Sequence, residues 1–339
     1  MLFEMSCKKL NPGIDRSITL EKYTEIWLQT IAPDKLAKST LVREKQDIER
    51  FKPYLGSYKL VDLRPEHFRS LYTKLRQQKN KATGKPLSEA TVEGVHSCLC
   101  GILFDAMEGG YLDHNPAWRT YKYAGQKKEK KIADDETVKK LIQALETVSI
   151  LYETYFKLII ATGMRRGECC ALKWCDIDWE QRSIHICRNA VKVTDEEIFV
   201  KEPKTRAGDR YVYFSAEMES LLREYRQECA YITESYDQRQ LTADDFLFRR
   251  QGAQLPMTPT TFTYRFKLIL KKNGLPQELN VHSLRHTAAS LMIAGGTDVA
   301  TVAGILGHSQ PSTTLDIYTH AFDKNKKAAS ADLQKMLEV

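Results

Sequence analysis

The stretch "YKYAGQKKEKKIADDET" (121–137) constrains the fold of this chain more than any other. It is polar, rich in lysine and without apolar periodicity, and the sequence has a different character on its two sides. We read it as an interdomain linker whose lysines can also meet phosphate. At 339 residues the chain can supply two domains, each with a core of its own. The expected organisation is a helical domain over 1–120, a basic linker over 121–133 and a second domain over 134–339.

Ahead of the linker the apolar residues repeat at helical spacing. "ITLEKYTEIWLQTIA" (18–32) puts Leu20, Tyr23, Trp27 and Ile31 on one face. "KSTLVREKQDIERFKPYL" (38–55) carries Leu41, Ile48, Phe51 and Leu55, with Ser39 or Thr40 as the expected cap. "RPEHFRSLYTKLRQQ" (64–78) places Pro65 in a first turn, where its missing N–H costs nothing. A fourth helix is expected within 87–112, from Ser88 to the Gly109-Gly110 pair.

Beyond the linker the pattern is mixed. Asp134 or Asp135 should cap a helix over about 136–148. "YETYFKLIIATGMRRGECCALKW" reads as a buried helix, a glycine break and a short helix. The runs "SIHIC" (183–187), "EIFVKE" (197–202) and "RYVYFS" (210–215) are rich in β-branched and aromatic residues, as expected of a small antiparallel sheet. Helices are expected over about 216–233, 258–272, 282–295, 298–306 and 327–337. The fold class is therefore mainly α with a small antiparallel β-sheet, and no internal repeat or low-complexity segment is visible.

Composition narrows the partners. No run approaches the 18 or so apolar residues that span a bilayer. The N-terminus, "MLFEMSCKKLNPGIDRS", lacks the basic-then-apolar order of a secretory signal. Eight cysteines are few for a disulfide framework at this length, and several sit in apolar helical patterns, so a reducing cytoplasm is the expected setting. The net charge of +7 is uneven: residues 1–131 hold 24 Lys and Arg against 16 Asp and Glu, and the remainder holds 27 against 28. A basic surplus confined to one end fits a module that binds a polyanion.

Four stretches of the second part carry polar groups without an evident structural duty. In "TGMRRGE" (162–168), Arg165 precedes a short helix and Glu168 is placed to hold it. "EPKTRAGDR" (202–210) reads as a tight turn between two strands with Lys204 near its start. In "VHSLRHTAAS" (281–290), His282 and Arg285 share a helical face. His282 and His286 lie four apart, which raises zinc, but Ser283 stands where a zinc-protease helix needs Glu and no third ligand appears. In "GILGHSQPSTTLDIYTH" (304–320), His308 is followed ten residues later by Tyr318, one of sixteen tyrosines.

Taken singly, each stretch has a bland explanation: a solvated arginine, a hairpin tip, a packed aromatic. Together they suit one reaction. Two arginines and a histidine N–H can surround the free oxygens of a phosphodiester as it becomes pentavalent. A lysine can protonate the expelled 5′-oxygen. A tyrosine can be the covalent nucleophile, helped by the cationic cluster. A phosphotyrosyl ester conserves the bond energy, so strands can be rejoined without ATP, and the reaction served by these cationic side chains is one for which no metal is expected.

"ATGMRRGE", "PKTRAGDR", "HSLRHT" and "LGHSQPSTTLDIYTH", in this order, resemble the tyrosine recombinases of the phage-integrase family over about 134–325. Residues 18–120 resemble the family's SAM-like, helical core-binding domain, and "TLDIYTH" with "SLRHTAASLMIAGG" is similar to integrases of conjugative transposons and Gram-positive prophages. The resemblance implies that Arg165 and Arg285 clamp the scissile phosphate and that His282 hydrogen-bonds it and takes the tyrosine proton. His308 would stand beside the phosphate, Lys204 would reach the leaving oxygen, and Tyr318 would be the nucleophile. Glu168 would buttress Arg165, and His286 would be a packing residue or one that supports the site from behind. Further DNA contacts are expected from Lys122, Lys127, Lys128, Lys130, Lys131 and Arg206.

The same resemblance implies site-specific integration or excision of a mobile element, through a 3′-phosphotyrosyl intermediate and a free 5′-hydroxyl. Two domains would close as a C-shaped clamp on double-stranded DNA. Protomers, monomeric in free solution, would form a homo-tetramer on paired sites. The apolar stripe of "KKAASADLQKMLEV" (326–339) would dock on a neighbour, or else pack on its own domain. An accessory DNA-bending or excision factor and a bacterial, nucleoid-associated setting are also implied. Many such integrases carry an additional N-terminal domain for accessory arm sites; about 17 residues precede Ile18 here, so that domain is either lacking or trimmed away. Rival readings are DNA relaxation of the type IB topoisomerase kind, a resolvase-type recombinase of the same family, and a non-catalytic DNA-binding relative. The last predicts substitutions among the six candidate residues, and the sequence has none.

Overall fold

The computed structural model describes residues 15–80, 83–123, 133–192, 198–203 and 206–307. The chain divides into two compact units, 1–128 and 129–339.

The first unit is helical. Helix α1 (Leu20–Ile26) runs through a π-helical turn (Trp27–Ile31) into α2 (Ala32–Lys35), and α3 (Lys38–Leu55), α4 (Pro65–Gln77) and α5 (Glu89–Glu108) follow. Leu20, Tyr23 and Trp27 are buried with Ile48, Phe51 and Leu55, so the apolar stripes read from the sequence do form one core. Trp27 cannot bury its indole N–H without a partner, and Nε1 donates to Asp105 Oδ2 at 2.8 Å. Pro65 opens α4, and the Ser88 hydroxyl caps α5 by accepting from Thr91 N. The cap expected at Ser39 or Thr40 is corrected: only Leu36 and Ala37 separate α2 from α3, so the helix begins at Lys38 with Ala37 as N-cap. The fourth helix ends at Glu108, before the glycine pair.

The second unit opens with α6 (Asp135–Leu145), capped by Asp134, then α7 (Ile150–Thr162) and the short α8 (Arg166–Cys170). Among the described residues five strands follow: β1 (Ile177–Asp178), β2 (Ser183–Ile186), β3 (Asn189–Lys192), β4 (Ile198–Lys201) and β5 (Arg210–Tyr213). Helices α9 (Ala216–Asp237), α10 (Pro259–Lys272), α11 (Val281–Ala294) and α12 (Val299–Leu306) complete the described chain. The mainly α fold with antiparallel strands is as expected, but the strands form two sheets, β1-β2-β5 and β3-β4. Ile184 pairs with Val212 in the first and Ala190 with Val200 in the second.

That topology corrects the reading of 202–210 as a hairpin tip. Strands β4 and β5 belong to different sheets, so the segment crosses between sheets. The helix expected over 327–337 lies outside the described residues. An aromatic cluster fills the core: Tyr155 stacks on Phe262 at 3.5 Å between centroids, and Phe156, Phe248 and Phe266 surround the pair. A smaller apolar cluster of Ala289, Ile293, Val302 and Leu306 fixes α12 against α11.

Candidate active site

Two helices end at one point, each on a glycine that no other residue could replace without strain. Helix α7 stops at Gly163 (φ +65°), and α12 stops at Gly307 (φ +68°). A Cβ on Gly163 would lie 2.6 Å from Leu306 Cδ2, and one on Gly307 would lie 2.6 Å from the Ala207 carbonyl oxygen. The end of α7 is therefore packed against a side chain of the last turn of α12, and the end of α12 against the backbone of Ala207.

A helix C-terminus leaves carbonyls without intrahelical donors. At α12 the Gly307 N–H serves Ala303 and Gly304. The next three carbonyls each accept from a different arginine. Arg210 Nε donates to Ile305 O at 2.6 Å, Arg285 Nη2 to Leu306 O at 2.6 Å, and Arg165 Nη2 to Gly307 O at 2.8 Å. Three cations thus sit on the negative end of one helix dipole. Arg285 Nη1 also donates to Gly163 O at 2.9 Å, so this side chain bridges the ends of α7 and α12.

Arg165 is the N-cap residue of α8, with extended backbone. The Glu168 carboxylate accepts from Arg165 N at 2.8 Å and from Arg165 Nη1 at 2.6 Å, which caps the helix and orients the guanidinium together. Its Oε2 also accepts from Arg210 Nη2 at 2.9 Å. Burial pushes the Glu168 carboxyl up, but the charges and hydrogen bonds of Arg210 and Arg165 outweigh it and hold the group below its ordinary value.

Exposure separates the two candidate clamp arginines. The Arg165 side chain is 39% exposed, whereas Arg285 is 1% exposed. His282 stands in the first turn of α11, where the Asn280 side chain accepts from its backbone N–H at 2.9 Å, and the residue is exposed. Its ring meets the buried His286 edge to face, with centroids 4.6 Å apart. Arg165 and His282 line one cleft of about 510 Å³ together with Arg166, Asn189, Lys192 and Thr263. Among the described residues no group of three or more His, Cys, Asp or Glu could hold a metal ion, and no helix is long and apolar enough to cross a membrane.

The structure therefore brings Arg165, Glu168 and Arg285 to one point, with His282 on the cleft that Arg165 lines. Lys204, His308 and Tyr318 lie outside the described residues, as do Lys127, Lys128, Lys130 and Lys131. Their neighbours are placed: His308 follows Gly307, and Pro203, next to Lys204, lies against Gly208. Lys122 and Arg206 are exposed. Sequence reasoning missed Arg210, although one signal was present. Arg210 alternates with Tyr211 so as to share the inward side of β5 with Val212, and a charge on that side calls for a buried partner.

The model of the phage integrase family matches residues 131–325, and that of the phage integrase N-terminal SAM-like domain matches residues 19–76. A XerC-like tyrosine recombinase of Caldanaerobacter subterraneus is 26% identical over 340 residues, which cover 95% of this chain and 84% of its own. The ICEBs1 integrase of Bacillus subtilis is 26% identical over 74% of this chain and 67% of its own. Among solved structures, the Tn1549 transposon integrase in complex with transposon right end DNA shares the fold, with a TM-score of 0.76 at 19% identity, over 94% of this chain and all of that one. The chain belongs to the phage integrase family, and it is a tyrosine recombinase of the integrase type.

Proposed function

We propose that this chain recombines DNA at the specific sites of a mobile element, by cleaving and rejoining strands through a 3′-phosphotyrosyl intermediate. The observation that carries the residue assignment is the anchoring of Arg165 and Arg285 on adjacent carbonyls at the end of α12. Two guanidiniums held at one point fix the spacing of a receptor for the oxygens of one phosphate, which is complete once Arg285 is uncovered. Arg165 already opens onto the cleft; Arg285, 1% exposed, has to be uncovered before it can touch a phosphate.

In the proposed step Tyr318 Oη attacks the scissile phosphorus, the new Tyr–O–P bond forms, and the bond to the 5′-oxygen breaks. His282 takes the phenol proton, Lys204 gives a proton to the leaving 5′-oxygen, and His308 adds a hydrogen bond to the phosphate. Attack by the 5′-hydroxyl of a partner duplex forms the new phosphodiester, breaks the Tyr–O–P bond and releases Tyr318, so no ATP is consumed. Exchange between two duplexes cuts four strands, and each protomer carries one Tyr318, which calls for four protomers on paired sites. Double-stranded DNA is the partner, with linker lysines on its phosphates, and the bacterial cytoplasm is the setting.

The test is a single-turnover cleavage assay on nicked DNA. Arg165→Ala and Arg285→Ala should each slow cleavage by about 10²-fold or more, with much smaller losses of affinity. If affinity fell as far as the rate, the arginines would be anchors only and the assignment would fail.

A further inference from the structure

We propose that Arg210 is a positioning residue of the cleavage site, fixing both groups that hold Arg165 in place. This rests on the clamp role of Arg165 proposed above. The Arg165 side chain is too exposed for burial to fix it, and its two acceptors are the Glu168 carboxylate and the Gly307 carbonyl. Arg210 holds the first directly, through Nη2 on Glu168 Oε2 at 2.9 Å. It holds the second through the same helix end: Nε donates to Ile305 O at 2.6 Å, and a Cβ on Gly307 would lie 2.8 Å from Arg210 Nη1.

The third nitrogen holds the turn that precedes β5. Nη1 donates to Gly208 O at 3.2 Å, in the segment that carries Lys204. The partners of Arg210 thus lie beside Arg165, in the Lys204 segment and close in sequence to His308. A guanidinium buried to 7% exposure, spending all three nitrogens on these acceptors, cannot meet DNA itself. Its planar fork matters, because a lysine ammonium on the same stem cannot span a carboxylate and two carbonyls at fixed angles. Apolar residues in place of the whole pair often serve a buried site as well, but loss of Arg210 alone leaves the buried Glu168 carboxylate with Arg165 as its remaining cationic partner, so the folded state of each variant is checked first.

Cleavage is to be measured for wild type, Arg210→Met, Arg210→Lys and Arg165→Met on two nicked substrates. One carries the ordinary phosphodiester and the other a methylphosphonate at the scissile position, which replaces one charged oxygen by methyl. With less charge to clamp, the neutral linkage needs the arginines less. On ordinary DNA, Arg210→Met should slow cleavage about 10²-fold, with DNA affinity within about threefold, and Arg210→Lys should not restore the rate. On the methylphosphonate the deficit should shrink at least about tenfold, in parallel with Arg165→Met. An equal deficit on both substrates, or none on ordinary DNA, overturns the proposal. If all Arg210 variants fail to fold, Arg210 acts through stability alone and the proposal is overturned as well. Should Arg165→Met itself cleave ordinary DNA at the wild-type rate, the failure lies with the clamp assignment.

Discussion

Arg165 and Arg285, 120 residues apart in sequence, donate to successive carbonyls of one helix end: Nη2 of Arg165 to Gly307 and Nη2 of Arg285 to Leu306. The last turn of α12 is therefore a template for the arginine pair. Each guanidinium satisfies an acceptor that a helix terminus would otherwise leave to water. The same bond sets the direction in which the rest of the fork points.

Gly307→Ala should damage this template. Alanine at φ +68° costs on the order of 1–2 kcal/mol, and its Cβ must also push against the Ala207 carbonyl and Arg210. We expect a melting temperature lower by roughly 2–8 °C and a slower cleavage step. Gly304→Ala is the control, because an added Cβ there meets nothing within 4 Å among the described residues and lies within α12. Equal effects at the two glycines would show that the αL turn is not what matters.

Glu168 makes the site sensitive to acid. Its folded pKa lies below the ordinary value of 4.5. The carboxylate's contribution to stability is then fully present above that value and is lost as the pH falls through the lower folded one. The gap in melting temperature between wild type and Glu168→Gln should be widest near neutral pH, begin to narrow as the pH falls below 4.5, and close beneath the lower folded value. A gap that stays constant across this range would mean that Glu168 acts by packing alone.

Reversing the charge of Lys122, Lys127, Lys128, Lys130 and Lys131 to Glu should weaken binding to specific and unrelated DNA alike. Lysines on phosphates release counterions, so the slope of log affinity against log salt should become shallower by about 0.9 for each phosphate no longer neutralised. Binding titrations over a series of salt concentrations measure it. A weakening confined to one DNA sequence would place these lysines on bases instead.

How much of this was legible in the sequence depended on whether the determining interactions were local. The stripe of Leu20, Tyr23 and Trp27 could be read because a helix repeats every 3.6 residues, and its burial follows from that period alone. Arg165 and Glu168 were paired correctly because a capping residue and its partner lie three apart. Arg210 and its bond to Ile305 escaped, since nothing local links two residues 95 apart. Backbone carbonyls carry no side-chain signature, so the role of 305–307 could not be seen at all. The crossing from β4 to β5 reads as a hairpin for a related reason. "NAVK" is too short and too polar to announce β3, the strand that pairs with β4.

Formation of the covalent bond to DNA by Tyr318 is the central claim. It is tested most directly by trapping wild type and Tyr318→Phe on a nicked substrate bearing the element's own end, followed by mass mapping of the peptide that carries the nucleotide. The expected result is an adduct on the peptide containing Tyr318 in wild type, and no adduct in Tyr318→Phe at nearly unchanged DNA affinity. An adduct on another residue, or one that persists in Tyr318→Phe, would contradict it.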